Sequence, residues 1–249
     1  MNGCISVDRI LSKLDEHLHR NDYASAERHL TYWLAEAEAG GDARTELLVR
    51  NELMGLYRKL GREREAIDSA NAAVAKIEAM GVGDQVGAAT SFLNCATVYK
   101  AFGRADEAIP MFERARAVYE SELSPLDERL GGLYNNMALA LVDLGRFSEA
   151  NELYNKAISV MESVENGAPE MAITYLNMAS AAEAELGIEE ADGVIQEYLL
   201  RAESLLEGHT ERDGNYAFVC EKCASVFDYY GHFIYANELY KRAERIYGR

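Results

Sequence analysis

Two landmark positions recur along this chain at the same uneven steps, and that shared rhythm limits its fold more than any other feature. A small or apolar residue recurs at Leu14, Met54, Ala96, Ala138, Ala179 and Ala224, and a later alanine at Ala26, Ala66, Ala108, Ala150, Ala191 and Ala236. Both series advance by 40, 42, 42, 41 and 45 residues, and segments 134–161 and 92–119 align without a gap. Two independent landmarks in one irregular register define six units, at approximately 5–44, 45–86, 87–128, 129–168, 169–213 and 214–249. Each unit reads as two helices. Only 3 Pro and 9% aromatics, beside abundant Ala, Leu and Glu, favour helix over strand.

The residue types give each unit a physical reading. Alanine at both landmarks lets paired helices approach closely, and Gly61, Gly103, Gly145 and Gly231 are placed to end the first helix in a left-handed turn. Bulky residues at Tyr57, Tyr99, Leu141 and Phe227, and at Phe112, Tyr154 and Tyr240, fill the space around the small ones. One helix pair cannot bury such a face, so neighbouring pairs must stack. The expectation is a single domain spanning 1–249: an all-α, right-handed superhelical solenoid of about six antiparallel helix pairs, with the first helices lining a concave side. Pro125 and Pro169 are expected between units, whereas Pro110 falls inside a second helix and predicts a kink or a shifted start. The fifth unit carries four extra residues between Ala191 and Ala202, about one added helical turn.

Charge narrows the partners. A net charge of −17 repels phosphate backbones and anionic lipid, which argues against nucleic acid and membrane surfaces. The segment MNGCISVDRI lacks the apolar run of a secretion signal, and four cysteines without framework spacing suit a reducing compartment, so a cytoplasmic location is expected. No catalytic constellation is recognisable: GVGDQVG (81–87) has the wrong glycine spacing for a phosphate loop, and the five histidines form no metal motif. Cys220 and Cys223 form a Cys-x-x-Cys, yet a second pair is absent and Cys223 occupies the same core slot as Cys95. Neither a cofactor nor a metal is expected.

A small residue, an aromatic three positions on, then Gly, then Ala resembles the tetratricopeptide repeat. The 42-residue step and the Asn-x-Ala triplets at 94–96, 136–138 and 177–179 resemble its kinesin light chain subgroup. The resemblance implies a non-catalytic scaffold that binds a protein or peptide partner in its concave groove. Rival readings are a regulator that responds to a signalling peptide through protein contacts, and a self-assembling structural subunit. It also implies that the residue two before each first landmark faces the groove: Ser12, Glu52, Asn94, Asn136, Asn177 and Lys222. Neighbouring groove positions are Asn51, Arg58, Thr97, Lys100, Asn135 and Ser180. Asparagine amides both donate and accept, so a ladder of them suits an extended backbone, or else braces adjacent helices. Arg58, Lys59 and Lys100 are expected to receive an acidic end of the ligand. The two-lysine carboxylate clamp of chaperone-binding relatives is not visible.

The last unit is rich in aromatics and no capping helix follows it. Phe233, Tyr235, Leu239, Ile246 and Tyr247 are therefore candidates for self-association, with a two-fold homodimer the simplest form. The alternative is a monomer whose tyrosine hydroxyls and long basic stems make that surface tolerable.

Overall fold

A computed structural model describes residues 6–248, so the expected start of the first unit at residue 5, together with Cys4 and Arg249, lies outside the described residues. Twelve helices and no strand occur among the described residues. They pair in chain order: α1 (Val7–His19) with α2 (Tyr23–Gly40), α3 (Ala43–Lys59) with α4 (Glu63–Met80), and α5 (Val86–Ala101) with α6 (Ala105–Glu122). Then come α7 (Glu128–Asp143) with α8 (Phe147–Met161), α9 (Ala168–Leu186) with α10 (Ile188–Gly208), and α11 (Gly214–Tyr229) with α12 (Phe233–Tyr247). The chain forms two compact units, residues 1–122 and residues 123–249, each holding three of these pairs. None of the described helices is long and apolar enough to cross a membrane.

The landmark residues explain the pairing. All twelve positions are buried, none more than 3% exposed, so helix backbones meet where a larger side chain would hold them apart. Gly61, Gly103, Gly145 and Gly231 adopt φ of +68°, +74°, +70° and +84°, which a side chain strains to reach. That turn lets the following N–H reach back into the first helix: Arg62 N–H to Tyr57 O at 2.9 Å, Arg104 to Tyr99 at 3.0 Å, Arg146 to Leu141 at 2.9 Å and His232 to Phe227 at 2.8 Å. These are the bonds that close a helix on a left-handed residue.

The same corner carries a repeated brace. Gly-Arg-x-x-Glu occurs at 61–65, 103–107 and 145–149. In each copy the arginine pairs with the glutamate three residues on, at 2.7, 2.5 and 2.6 Å. Arg62 and Arg104 also lie over the rings of Tyr57 and Tyr99, at 4.7 and 5.0 Å.

Several expectations change in detail. Helix α6 starts two residues after its glycine, as α4 and α8 do, and runs on through Pro110, so its start is not shifted. Pro169 is not between units but in the first turn of α9, where a missing N–H has no helical partner to lose. The added turn in the fifth pair appears as a 21-residue α10, against 18 residues in α4 and α6. Tyr240 is 40% exposed, whereas its repeat equivalents Phe112 and Tyr154 are wholly buried, because no described helix follows α12 to cover it. Cys95, Cys220 and Cys223 are buried apolar core, and burial raises all three thiols above their ordinary value, Cys95 to about 12.

Candidate functional site

The first unit contains a cleft of about 1020 Å³ formed by α1, α3, α5 and the loop that joins α4 to α5. Asp42 starts α3 by accepting hydrogen bonds from the N–H and hydroxyl of Thr45, at 3.1 and 2.7 Å. With that start fixed, helical spacing turns Leu47, Leu48, Asn51 and Glu52 to one face, and Gly87, Thr90, Ser91 and Asn94 of α5 stand opposite. Met80 and Val82, and Val7 and Asp8 of α1, complete the lining. The lining therefore mixes apolar side chains with amides, hydroxyls and the charged Asp8, Asp42, Arg44 and Glu52.

The asparagines are tied to one another. Asn94 Nδ2 donates to Asn51 Oδ1 at 3.1 Å, and Asn51 Nδ2 donates to Leu47 O at 3.0 Å and Ser91 Oγ at 2.9 Å. Asn51 is thus committed to bracing α3 against α5. Asn94 Oδ1 has no hydrogen-bond partner among the described residues and remains an acceptor on the cleft wall. Thr90 Oγ1 is held by Tyr119 at 2.7 Å, and Thr97 Oγ1 donates to Leu93 O within its own helix.

Electrostatics inside the cleft are uneven. Glu52 is half-buried and meets no cation or hydrogen-bond donor among the described residues. Burial raises its carboxyl above the usual carboxylate range, and the charge of Asp15 on α1 adds to that rise. Two turns earlier on α3, Glu46 has the opposite outcome. Burial alone would raise it, but hydrogen bonds from Lys76 (2.5 Å) and Arg50 (3.0 Å) hold it below its ordinary value.

The expected basic end is less open than its sequence suggests. Lys59 lies over the Tyr23 ring at 5.0 Å, Lys100 is already engaged, and Arg58 is exposed outside the cleft lining. Ser12 of α1 is exposed.

In the second unit the same pairing recurs in the same register, an asparagine two before one landmark bonding an asparagine three before the preceding landmark. Asn177 Nδ2 donates to Asn135 Oδ1 at 3.0 Å, whereas Asn136 turns to Gly132 O of its own helix at 2.8 Å. The ladder therefore pairs Asn51 with Asn94 and Asn135 with Asn177, an offset invisible from the Asn-x-Ala triplets. Ser180 Oγ bonds Leu176 O, and Lys222 is exposed with its ammonium 5.5 Å from the Phe218 ring. Glu183 accepts the hydroxyls of both Tyr229 and Tyr230 at 2.7 Å.

The self-association stripe divides. Leu239 is wholly buried against α11, so it is core and has no surface to offer. Tyr235 and Ile246 are partly buried on the same cluster, Tyr235 standing edge-on to Phe227 with its hydroxyl on Glu207. Phe233 is 64% and Tyr247 36% exposed, and Ile234, which the spacing did not single out, is 91% exposed.

Family models described as tetratricopeptide repeat match residues 34–121 and 131–166. Both matched segments carry tetratricopeptide repeats. A curated relative, Protein KINESIN LIGHT CHAIN-RELATED 3 of Arabidopsis thaliana, is 28% identical over 109 residues, 43% of this chain. Those residues span 16% of that relative's length. Similar solved structures include BtubC (BKLC) from P. vanneervenii, with TM-score 0.57 at 20% identity over 92% of this chain and 90% of that one. NprR in complex with its cognate peptide NprX aligns with TM-score 0.61 at 18% identity, covering 98% of this chain and 68% of NprR. The pilus biogenesis factor PilW has TM-score 0.61 at 14% identity, covering 98% and 94% of the two chains. At these identities the structures speak to the fold, a solenoid of helical repeats.

Proposed function

We propose that this chain is a non-catalytic cytoplasmic scaffold that binds an extended or helical segment of a partner protein on the faces of its first helices, with the cleft of α1, α3 and α5 as its principal site. The observation that carries the reading is the cleft itself: about 1020 Å³, too large for a single small ion, and lined by apolar side chains together with amides, hydroxyls and the charged Asp8, Asp42, Arg44 and Glu52. Asn94 Oδ1 is available there to a backbone N–H, and the asparagine brace fixes its position before a ligand arrives, so less ordering accompanies binding. A net charge of −17 disfavours nucleic acid as the partner.

The fold alone is compatible with many functions. A second reading, a regulator that responds to a signalling peptide through protein contacts, draws on the likeness to NprR, whose structure holds its cognate peptide. Both readings place a peptide in the repeats and differ in the consequence of its binding.

The test is recovery of partners from native lysate with the wild-type chain and with a Leu47→Lys, Leu48→Lys variant whose far-UV spectrum is unchanged. A partner lost in the variant supports the cleft. A partner retained at full yield would move the site elsewhere.

A further inference from the structure

Glu52 is a half-buried charged group of the cleft with no counterion among the described residues. The surrounding charges do not neutralise it: Asp8 and Asp15 of α1 share its sign, and Arg44 stands at the opposite end of α3's cleft face. Eight residues of helix separate Arg44 from Glu52, about 12 Å at 1.5 Å per residue, and Arg44 lies beside Asp42. The protein is able to pair an enclosed acid, since Glu46 on the same helix carries both Lys76 and Arg50. A half-buried carboxylate without such partners is costly in the free protein and becomes favourable only when a cation arrives from outside.

Resting on the reading of this cleft as a peptide site, we infer that it selects a partner segment bearing a lysine or arginine, whose cationic end seats on the Glu52 carboxylate. The flanking residues of that segment are apolar, because Leu47, Leu48, Met80 and Val82 form the walls beside it. Asn94 Oδ1 takes a backbone N–H of the same segment. The volume asks for several residues rather than a lone amine. Negative groups on both α1 and α3 repel an acidic segment from this end of the cleft, so selection works by exclusion as well as by pairing.

The experiment uses the full chain on a positional-scanning array of ten-residue peptides, each pool fixing one residue at one position, with follow-up affinities by fluorescence anisotropy. The expected result is enrichment of lysine and arginine at one position. The best such peptide should bind about tenfold more tightly than its norleucine counterpart, the effect of one charge-assisted hydrogen bond in a half-dry site. Glu52→Gln should bring that ratio close to one while the norleucine peptide keeps its affinity, and Glu52→Asp should restore part of the preference. Capture of peptides with acidic or charge-indifferent preference would overturn the inference and leave the peptide site standing. A lysine preference that survives Glu52→Gln would also overturn it. Failure of the wild-type chain to capture any pool would remove the peptide site and the inference with it.

Discussion

Removing the two asparagines of the first unit, singly and together, separates bracing from ligand contact. The Asn94-to-Asn51 bond is neutral, 3.1 Å long and half-buried, which sets its net contribution at about 0.5–1.5 kcal/mol. Alanine is the better helix former by up to about 0.7 kcal/mol, and that gain opposes the loss. Asn94→Ala should therefore destabilise by about 0–1 kcal/mol. Asn51→Ala should cost more, because the Ser91 contact at 2.9 Å goes as well. A double-mutant cycle cancels the propensity terms and isolates the pair, with an expected coupling of about 0.5–1 kcal/mol. Urea unfolding followed by Trp33, the single tryptophan and a residue of α2, reads the first unit directly. Asn136, which bonds only its own helix at Gly132, is the control, and Asn94 and Asn136 should show no coupling. A coupling between Asn51 and Asn94 no larger than in that control would refute the brace.

Three further outcomes are set by the packing and the charges. Ala138→Leu enlarges a fully buried contact in α7 and should lower stability by about 1–3 kcal/mol, seen as a lower urea midpoint; an unchanged midpoint would contradict close approach at the landmarks. Arg242→Met removes an 8%-exposed guanidinium that serves Glu207 (2.7 Å), Glu238 (3.1 Å) and the Tyr216 hydroxyl (3.2 Å). Because both carboxylates stay over 40% exposed to water, the cost should be about 1–3 kcal/mol rather than that of a fully buried pair, and a neutral effect would argue against the network. Glu52 has a raised folded-state pKa, so the native chain holds its proton at pH values where the unfolded chain has lost it, and stability falls as pH rises through that window. Glu52→Gln should then raise the urea midpoint at pH 7 and leave it nearly unchanged at pH 3, where both states are protonated; an equal effect at the two pH values would remove the electrostatic explanation.

The helix pairs were legible in the sequence because their determinants are local and repeated. Alanine at a crossing and glycine at a left-handed turn act through one backbone position each, so an uneven register of 40 to 45 residues was enough to place six pairs. The buried role of Cys95 and Cys223 comes from the same register. Gly-Arg-x-x-Glu is equally regular, but its glutamate reads by itself as an ordinary exposed helix residue, so its bracing role emerges only in the fold.

What tertiary structure alone decided is how those side chains meet across helices. The register put Asn94, Asn136 and Asn177 in one class, yet Asn94 and Asn177 bond Asn51 and Asn135 within their own compact units while Asn136 bonds Gly132 O of its own helix. Asn51 and Asn135 each stand three before a landmark, where the third helix pair has Leu93, and a one-residue step turns a helical side chain by about 100°, so only the packed helices show which of two neighbouring positions faces the next asparagine. Leu239 shared the spacing of Ile246 and Tyr247 but became core, because α11 covers that side of α12. Glu46 and Glu52 are the same residue on one helix; Lys76 of α4 reaches the first, and the second faces an open cleft. Which carboxylate is neutralised and which has no counterion among the described residues depends in part on Lys76, thirty residues from Glu46 in the chain, and only the folded arrangement brings it within reach.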